Sequence, residues 1–362
     1  TPPQFNAGIL VTFRLTDAGW VEDERLQPPG IAEADAFSQA MDFEQTTLIT
    51  SSPGADDAGN GAGELHWFER DLYDGWEWRM DYRPEDLQPF DRFGAAIAVE
   101  GNELVVSSSR SDDLGTDTGS IYLLQRTPAG FVVQDKFFSP EPFDFQEYGG
   151  SLDFEGDIVA VGASFDDQLG PDRGMVGIHE RDANGDWNVT VIRPSDLEDY
   201  QLFGGSVSLA GDYLVVGAPS VWSDPTIDPP SGKMYIYKRE SLGNWVEVRR
   251  FFMTSFEDST LGLSVSVDGD TIVSGALFDD RYGEDAGIAR VFDLFPAVDC
   301  DGDGICDLPQ QYDPAFDCDG NGVIDSCEGY TEEDCDSNGV PDDCELADND
   351  CNGNGRLDAC DI

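Results

Sequence analysis

The sequence predicts an all-β protein, a β-propeller of four-stranded blades followed by an irregular, cysteine-rich C-terminal tail. Two observations predict this fold. Residues 1–295 repeat a pattern of short apolar runs and tight turns with a period of roughly 55 residues. Residues 296–362 hold all eight cysteines, interleaved with a recurring series of aspartates. We therefore expect two domains, with a boundary near residue 295.

Each repeat opens with a large apolar residue followed by glycine or serine. The five openings are Phe37-Ser38, Phe93-Gly94, Tyr148-Gly149, Phe203-Gly204 and Leu261-Gly262. Two apolar runs follow, joined by a Gly-Asn or Gly-Asp turn such as Gly101-Asn102, which is a hairpin signature. A third run follows a glycine, and a fourth opens on an aromatic residue at Trp76, Phe131, Trp187 or Trp245. Radial repetition of such four-stranded sheets is typical of a β-propeller.

The two ends of the repeat array do not match. Residues 9–27 align with a third and a fourth strand, whereas the last repeat, from Leu261, supplies strands one to three. We expect the N-terminal strands to complete a blade, which gives five blades, with six as the alternative. The completed blade belongs either to the same chain or to a neighbouring subunit, and head-to-tail donation would build a filament.

The repeat resembles the FG-GAP repeats of integrin α-subunit propellers. The resemblance is best in Phe203-Gly204-Gly205-Ser206-Val207 with Val216-Gly217-Ala218-Pro219; it covers nearly all of residues 8 to 293, with decayed motifs in other copies. It implies a propeller, but the calcium loops of integrins are not clearly kept. Aspartate pairs stand there instead, at Asp56-Asp57, Asp112-Asp113, Asp166-Asp167 and Asp279-Asp280. We expect them to accept hydrogen bonds from loop amides rather than to bind metal.

The tail contains four copies of a twelve-residue calcium loop, which needs oxygen ligands at positions 1, 3, 5, 7, 9 and 12 and glycine at position 6. Position 6 is Gly304, Gly322, Gly339 or Gly355, and Gln310 stands at position 12 of the first copy, which weakens that site. The predicted ligands of about four calcium ions, with position 7 acting through its backbone carbonyl, are Asp299, Asp301, Asp303, Ile305 and Asp307; Asp317, Asp319, Asn321, Val323, Asp325 and Glu328; Asp334, Asp336, Asn338, Val340, Asp342 and Glu345; Asp350, Asn352, Asn354, Arg356, Asp358 and Asp361.

The cysteines recur with the loops, as Cys318 with Cys327, Cys335 with Cys344, and Cys351 with Cys360; Cys300 and Cys306 belong to the first copy. We prefer disulfides within each loop, and bridges between neighbouring loops are the alternative. A tail this poor in apolar residues needs metal ions and disulfides in place of a hydrophobic core. The repeat D-C-D-x-N-G-x-x-D-x-C-E resembles thrombospondin type 3 calcium repeats of secreted bacterial proteins, which implies a disulfide- and calcium-stabilised rod.

The formal net charge is −54, from 74 acidic and 20 basic residues. Nucleic acid and anionic membranes are therefore not expected as partners, because both require facing positive charge. No apolar stretch is long enough to span a membrane. Thr1 is interpreted as the start of a mature chain whose export signal has been removed, and the paired cysteines agree with an oxidising, extracellular location.

Catalytic motifs are lacking in the sequence. His66 and His179 fall in third-strand runs and are expected to fill sheet positions, and no nucleophile elbow, phosphate-binding loop or zinc-protease motif is present. The sequence therefore predicts a secreted, non-enzymatic structural or adhesive calcium-binding protein that self-associates at a cell surface or in a matrix. The alternatives are a propeller that binds a glycan or protein with the tail as a tether, and a propeller hydrolase or lyase.

Overall fold

The computed structural model describes residues 8–16, 19–71, 75–220, 232–252, 260–277 and 286–294. The chain divides into two units, Thr1–Val291 and Phe292–Ile362. All regular secondary structure in the described residues is β-strand. These residues include no helix with the length and hydrophobicity needed to cross a membrane.

The strands form one hairpin and five antiparallel sheets that follow chain order, and we number the five sheets as blades. The N-terminal hairpin contains β1 (Leu10–Thr16) and β2 (Gly19–Leu26). Blade 1 contains β3 (Met41–Glu44), β4 (Thr47–Ser52), β5 (Glu64–Asp71) and β6 (Gly75–Tyr82). Blade 2 contains β7 (Phe93–Glu100), β8 (Glu103–Ser108), β9 (Ser120–Thr127) and β10 (Gly130–Phe138). Blade 3 contains β11 (Ser151–Glu155), β12 (Ile158–Ala163), β13 (Met175–Arg181) and β14 (Trp187–Ile192). Blade 4 contains β15 (Ser206–Ala210), β16 (Tyr213–Ala218), β17 (Lys233–Ser241) and β18 (Asn244–Phe252). Blade 5 contains β19 (Ser264–Asp268), β20 (Thr271–Ala276) and β21 (Ile288–Asp293).

The prediction of five blades built on four strands is confirmed, and the alternative of six is not; within the described residues blade 5 has three strands and the N-terminal hairpin is a separate sheet. The predicted apolar runs are the strands, and the Gly-Asn and Gly-Asp dipeptides are two-residue hairpin turns between them. Glu100 pairs with Glu103 across one such turn, and Gly101 has a φ of 60°. The φ of Asn102 is not positive. The turn therefore has the φ signs of a type II′ turn, whose twist matches the right-handed twist of the strands.

Successive blades pack face to face around their first strands, so that β3, β7, β11, β15 and β19 are neighbours in that order. A separate apolar cluster fills each of the first three interfaces between blades. The cluster between blades 3 and 4, for example, joins Ile178 and Ile158 to Phe203 and Leu214. A fourth cluster joins the N-terminal hairpin to blade 1. The hydrophobic core of the array therefore lies between the sheets.

The opening dipeptide of each repeat forms the corner where the chain enters a blade. Its apolar residue is buried in every blade, as Phe93 and Phe203 show. The following glycine has a positive φ, 85° at Gly204, and its N–H donates to the Gly217 carbonyl at 3.0 Å. A Cβ at Gly204 would meet the Met175 carbonyl oxygen at 2.6 Å. Glycine is therefore favoured at Gly204 by both the backbone angle and the close approach of the chain, although Ser38 takes the equivalent position of blade 1 with a φ of 68°.

Side chains on the first strands hydrogen-bond to the backbone of the next blade. Asp42 Oδ2 accepts from Val99 N at 2.7 Å, and Asp153 Oδ2 accepts from Leu209 N at 2.7 Å. Ser208 Oγ accepts at the equivalent place from Val267 N at 3.2 Å. Each of these bonds satisfies a backbone donor that its own sheet leaves free, so they connect one blade to the next.

Candidate functional site

The predicted calcium ligands, from Asp299 to Asp361, and all eight cysteines lie outside the described residues. The disulfide pairings and the calcium sites therefore stay predictions. The same applies to the aspartate pair Asp279-Asp280.

One aspartate of each remaining pair acts as a backbone cap, as expected, whereas its neighbour, Asp57, Asp113 or Asp166, forms an ion pair with Arg83, Lys136 or Arg193. Asp56 Oδ1 accepts a hydrogen bond from Gly61 N at 2.8 Å, Asp112 Oδ1 from Asp117 N at 2.8 Å, and Asp167 Oδ1 from Asp172 N at 2.6 Å. Each bond closes a loop of the same length between the second and third strands. The role of these three aspartates is therefore to order the loop.

Four polar residues of blade 1 form a buried cluster, which we call the blade-1 cluster: Ser52, Glu64, His66 and Asp81. Ser52 Oγ lies 2.7 Å from His66 Nε2, and His66 Nδ1 lies 2.7 Å from Asp81 Oδ1. Trp78 Nε1–H also donates to Asp81 Oδ1, at 2.9 Å. Ser52, Glu64 and His66 are buried, while the Asp81 side chain is partly exposed. Both ring nitrogens of His66 therefore have polar partners.

Strand register brings these side chains together. His66 pairs with Asp81 between β5 and β6, and Ser52 pairs with Glu64 between β4 and β5. Glu64 and His66 stand two residues apart, so they point to the same face of β5. The cluster is thus carried by three paired strands, a more rigid support than a loop.

Register also identifies the equivalent positions in the other blades, where this combination does not recur. In the order of Ser52, Glu64, His66 and Asp81, they are Ser108, Ser120, Tyr122 and Lys136 in blade 2; Ala163, Met175, Gly177 and Val191 in blade 3; Ala218, Lys233, Tyr235 and Arg250 in blade 4. Blades 2 and 4 place a tyrosine beside a cation here. Blade 1 alone among these four blades places a histidine beside an acid.

Negative charge exceeds positive charge around the cluster. Burial, together with the nearby negative charge of Asp81, raises the pKa of Glu64 to about 7. Arg83 is the compensating cation, with Nη1 at 3.2 Å from Glu64 Oε1 and 3.1 Å from Asp57 Oδ2. In the part of the chain that the structure describes, this guanidinium contacts two carboxylates and Asp81 adds a third negative charge near Glu64, so the site would accommodate additional positive charge.

The order Ser52–His66–Asp81 is also that of a serine-hydrolase relay, in which a histidine takes the serine proton and the acid orients the histidine. Ser52 has 0% of its surface exposed, however, and His66 has 1%. A substrate carbonyl must approach the serine oxygen to about 3 Å, and no such approach is open in this conformation. The relay geometry therefore does not by itself support acyl transfer.

The second histidine, His179, is buried between blades 2 and 3. Its Nε2 lies 2.7 Å from Tyr148 Oη, and its ring stacks on Phe137 with centroids 4.8 Å apart. Burial lowers the pKa of His179 to about 4.

The expectation that both histidines fill third-strand sheet positions is confirmed, but the acidic partners of His66 were not foreseen. The sequence signal was available: His66 follows Gly63 by three residues, where Tyr122 follows Gly119 and Tyr235 follows Gly232.

A different candidate site is the pair of uncovered faces at the ends of the array. We call the side of a blade that faces the preceding blade its leading face, and the opposite side its trailing face. On the leading face of blade 1, Phe43 is 66% exposed. The equivalent residues Phe154, Leu209 and Val267 are buried by the blade that precedes them. The N-terminal hairpin packs beside Leu48 and Phe68 instead, so the first strand of blade 1 is left open.

The trailing face of blade 5 is uncovered in the same way. Val291 is 69% exposed and Val273 is 40% exposed. Their equivalents in blades 1 to 4 are buried; they are Trp67, Leu123, Ile178 and Ile236 for Val291, and Ile49, Val105, Ala160 and Val215 for Val273. The two ends of the array therefore expose the two halves of an interface that the internal blades bury.

Comparison with protein families agrees with this architecture. Residues 81–124 and 188–237 match the FG-GAP repeat family model. The first segment runs from the end of blade 1 into the third strand of blade 2, and the second from the fourth strand of blade 3 into the third strand of blade 4. No curated protein shows significant similarity to the chain. The chain thus carries FG-GAP repeats within a five-bladed β-propeller, a fold consistent with a binding or adhesion module.

Proposed function

We propose that this protein is a secreted, non-enzymatic structural or adhesive module whose propeller self-associates head to tail at a cell surface or in an extracellular matrix. The observation that carries the proposal is the pair of uncovered faces on blades 1 and 5. FG-GAP repeats are typical of extracellular proteins, which supports the location. The thrombospondin type 3-like tail would bind calcium through its Asp, Asn and Glu oxygens and serve as a stiff connector.

The two faces are suited to each other because each one repeats a surface that is buried inside the array. The leading face of blade 1 offers Met41 and Phe43, as blades 3 and 4 offer Leu152 and Val207 to their predecessors. The trailing face of blade 5 offers Val273 and Val291. Exposed apolar residues clustered in this way are typical of interaction surfaces.

The contact is heterologous, because the leading face of one copy meets the trailing face of another. Repetition of such a contact builds an open chain of subunits unless the rotation closes a ring. Closure within one chain, with blade 5 seated on the N-terminal hairpin and blade 1, remains the competing arrangement. It would bury the same residues, so the two arrangements are separated by their dependence on protein concentration.

Charge sets the conditions for assembly. A chain with a net charge of −54 repels its copies, and this repulsion is screened by salt and neutralised by bound calcium. We expect association to strengthen when ionic strength rises and when calcium is added. Chelation should weaken it.

Sedimentation velocity and negative-stain imaging of the full chain test the proposal. Wild-type protein with calcium is expected to form oligomers whose size increases with concentration. Phe43→Glu blocks the leading face and Val291→Glu blocks the trailing face, so each variant alone should stay monomeric. Because each retains one intact face, their mixture should form dimers and nothing larger. Val189→Glu, on the exposed fourth strand of blade 3, is the matched control and should assemble as wild type does.

A wild-type chain that stays monomeric at every concentration would reject assembly and favour closure within the chain. Oligomers that Phe43→Glu and Val291→Glu both leave intact would reject these faces as the contact.

A propeller that binds a small glycan or peptide is the second candidate, favoured by a cavity between blades 1 and 2. The cavity has a volume of about 700 Å³, and its walls include Trp67, Glu69, Arg79, Asn102 and Arg126. Arg126 lies over the Trp67 ring at 5.6 Å from its centroid and hydrogen-bonds to Thr47 and Asn102, so it covers the indole face. Glycan-array binding that is lost in Arg79→Ala would support this function.

A further inference from the structure

We propose that Glu64, His66 and Asp81 form a binding site for one divalent transition-metal ion, with zinc as the representative ion. The site lies within blade 1 and is separate from the calcium loops predicted for the tail. It goes beyond the proposed structural or adhesive function, because assembly through the end faces does not require it.

The donor set selects the class of metal. One imidazole nitrogen with two carboxylates suits zinc, cobalt, nickel or iron, whereas calcium prefers ligands that are all oxygen. The three residues each offer one ligand atom, and these atoms all lie within 4.8 Å of one another. Metal–ligand bonds of about 2.0–2.2 Å require ligand atoms roughly 3–4 Å apart. Small side-chain rotations therefore suffice, with no movement of the strands.

The hydrogen bonds of His66 can be rearranged to accept a metal. Without metal, Asp81 can only accept, so Nδ1 carries the proton and Nε2 accepts from the Ser52 hydroxyl. When a metal takes Nδ1, the proton moves to Nε2, and Ser52 Oγ, 2.7 Å away, becomes the acceptor. A histidine ligand usually donates its second N–H to such a partner, which fixes the ring orientation. Trp78 fixes Asp81 in the same way.

Charge favours a cation at this place. Glu64, Asp81 and Asp57 are opposed by the single guanidinium of Arg83, which already bridges Glu64 and Asp57. A divalent ion bound to Glu64 and Asp81 would add the positive charge that one guanidinium, shared between Glu64 and Asp57, does not supply. The Asp81 side chain has 27% of its surface exposed, which gives the ion an entry path and leaves room for a water ligand.

The test is metal titration of the full chain after chelation, with excess calcium present to occupy the tail loops. Zinc binding is measured by calorimetry, and cobalt is added in a parallel experiment for its visible absorption. We expect one zinc equivalent that depends on His66. His66→Gln and Glu64→Gln should each weaken zinc binding by more than the roughly 10- to 100-fold expected when the hydrogen-bond partner of a metal ligand is lost, and Ser52→Ala by about that smaller factor.

His179→Gln is the matched control, since His179 is also a buried third-strand histidine but has no carboxylate partner at hydrogen-bond distance among the described residues. It should bind zinc as wild type does. Because the tail cysteines could themselves bind zinc, the proposal rests on the difference between the two histidine variants. If His66→Gln and Glu64→Gln both bind zinc with wild-type affinity, or if wild type does not bind zinc or cobalt, the proposal is wrong. Circular dichroism without metal shows whether each variant is folded. If His66→Gln does not fold, the zinc affinity of Glu64→Gln tests the proposal.

Discussion

Phe43 and Phe154 occupy the same position of the repeat in blades 1 and 3, yet one is exposed and the other is buried. Each lies in a first strand, next to an aspartate that hydrogen-bonds to the following blade. The difference comes from what precedes them: blade 2 covers Phe154, whereas no first strand of the described part of the chain covers Phe43. Burial in this fold is therefore supplied by the neighbouring blade, and the same sequence pattern yields either a core residue or an interaction surface.

The largest loss of unfolding free energy should come from truncating Phe154, the buried residue of this pair. Phe154→Ala removes an aromatic side chain from the cluster between blades 2 and 3, and such substitutions cost about 3–5 kcal/mol. Urea unfolding followed by tryptophan fluorescence measures the loss. A cost below about 1 kcal/mol would mean that the interface between these blades contributes little to stability.

The next largest change in unfolding free energy should come from protonation of His179, which lies in the same interface. Its pKa falls from 6.5 to about 4 because the site is buried, so the unfolded chain binds the proton more readily than the folded chain. The stability contributed by the neutral ring is fully present above pH 6.5 and is lost as the pH falls toward 4, by at most about 3 kcal/mol.

His179→Gln removes this titration. The destabilisation that it causes should therefore shrink as the pH is lowered across that range, measured as the difference in unfolding free energy between wild type and variant. A difference that stays constant with pH would show that His179 does not titrate in this way.

A smaller effect is expected in a loop that neither face uses. Asp112→Ala removes the acceptor for Asp117 N and should cost about 1 kcal/mol. Asp112→Asn keeps a side-chain oxygen and is the matched control, with a smaller loss. Equal losses in the two variants would show that the charge, and not the hydrogen bond, matters there.

The smallest effect on folding should come from the exposed member of the pair. Phe43→Ala should change the unfolding free energy of the monomer by less than about 0.5 kcal/mol, while it weakens self-association. Unfolding at low protein concentration, where the monomer dominates, is the measurement. A loss as large as that of Phe154→Ala would show that Phe43 is buried within its own chain, as ring closure requires.

The sequence was sufficient for the strands, the hairpin turns and the buried corners such as Phe203-Gly204, because these depend on local periodicity and on glycine. It was insufficient for the blade-1 cluster, because Ser52, His66 and Asp81 meet only through the register of three strands. The loops before the corners were also missed. Phe90 and Arg92 adopt left-handed backbone angles there without being glycine, and tertiary contacts, not residue preference, impose them.

The uncovered faces could not be read from the pattern either, since Phe43 and Phe154 satisfy it equally. Exposure depends on which blade comes first and last, and this is a property of the assembled array. The sequence pattern of one repeat therefore predicts the strands of that blade, but it does not predict whether another blade covers its face.

The aspartates of the first strands have a consequence for how such arrays evolve. Asp42 and Asp153 each use Oδ1 to accept from the N–H of the next residue in their own strand, at 2.8 Å. No blade precedes Asp42 among the described residues, and the blade that precedes Asp153 has Ala98 at that position, so Phe43 N and Phe154 N receive no side-chain acceptor from a preceding blade. A repeat whose own aspartate accepts this N–H does not depend on the preceding blade for that hydrogen bond. Gene duplication could place such a unit at the start of an array, or after a diverged copy, without leaving a buried donor unpaired.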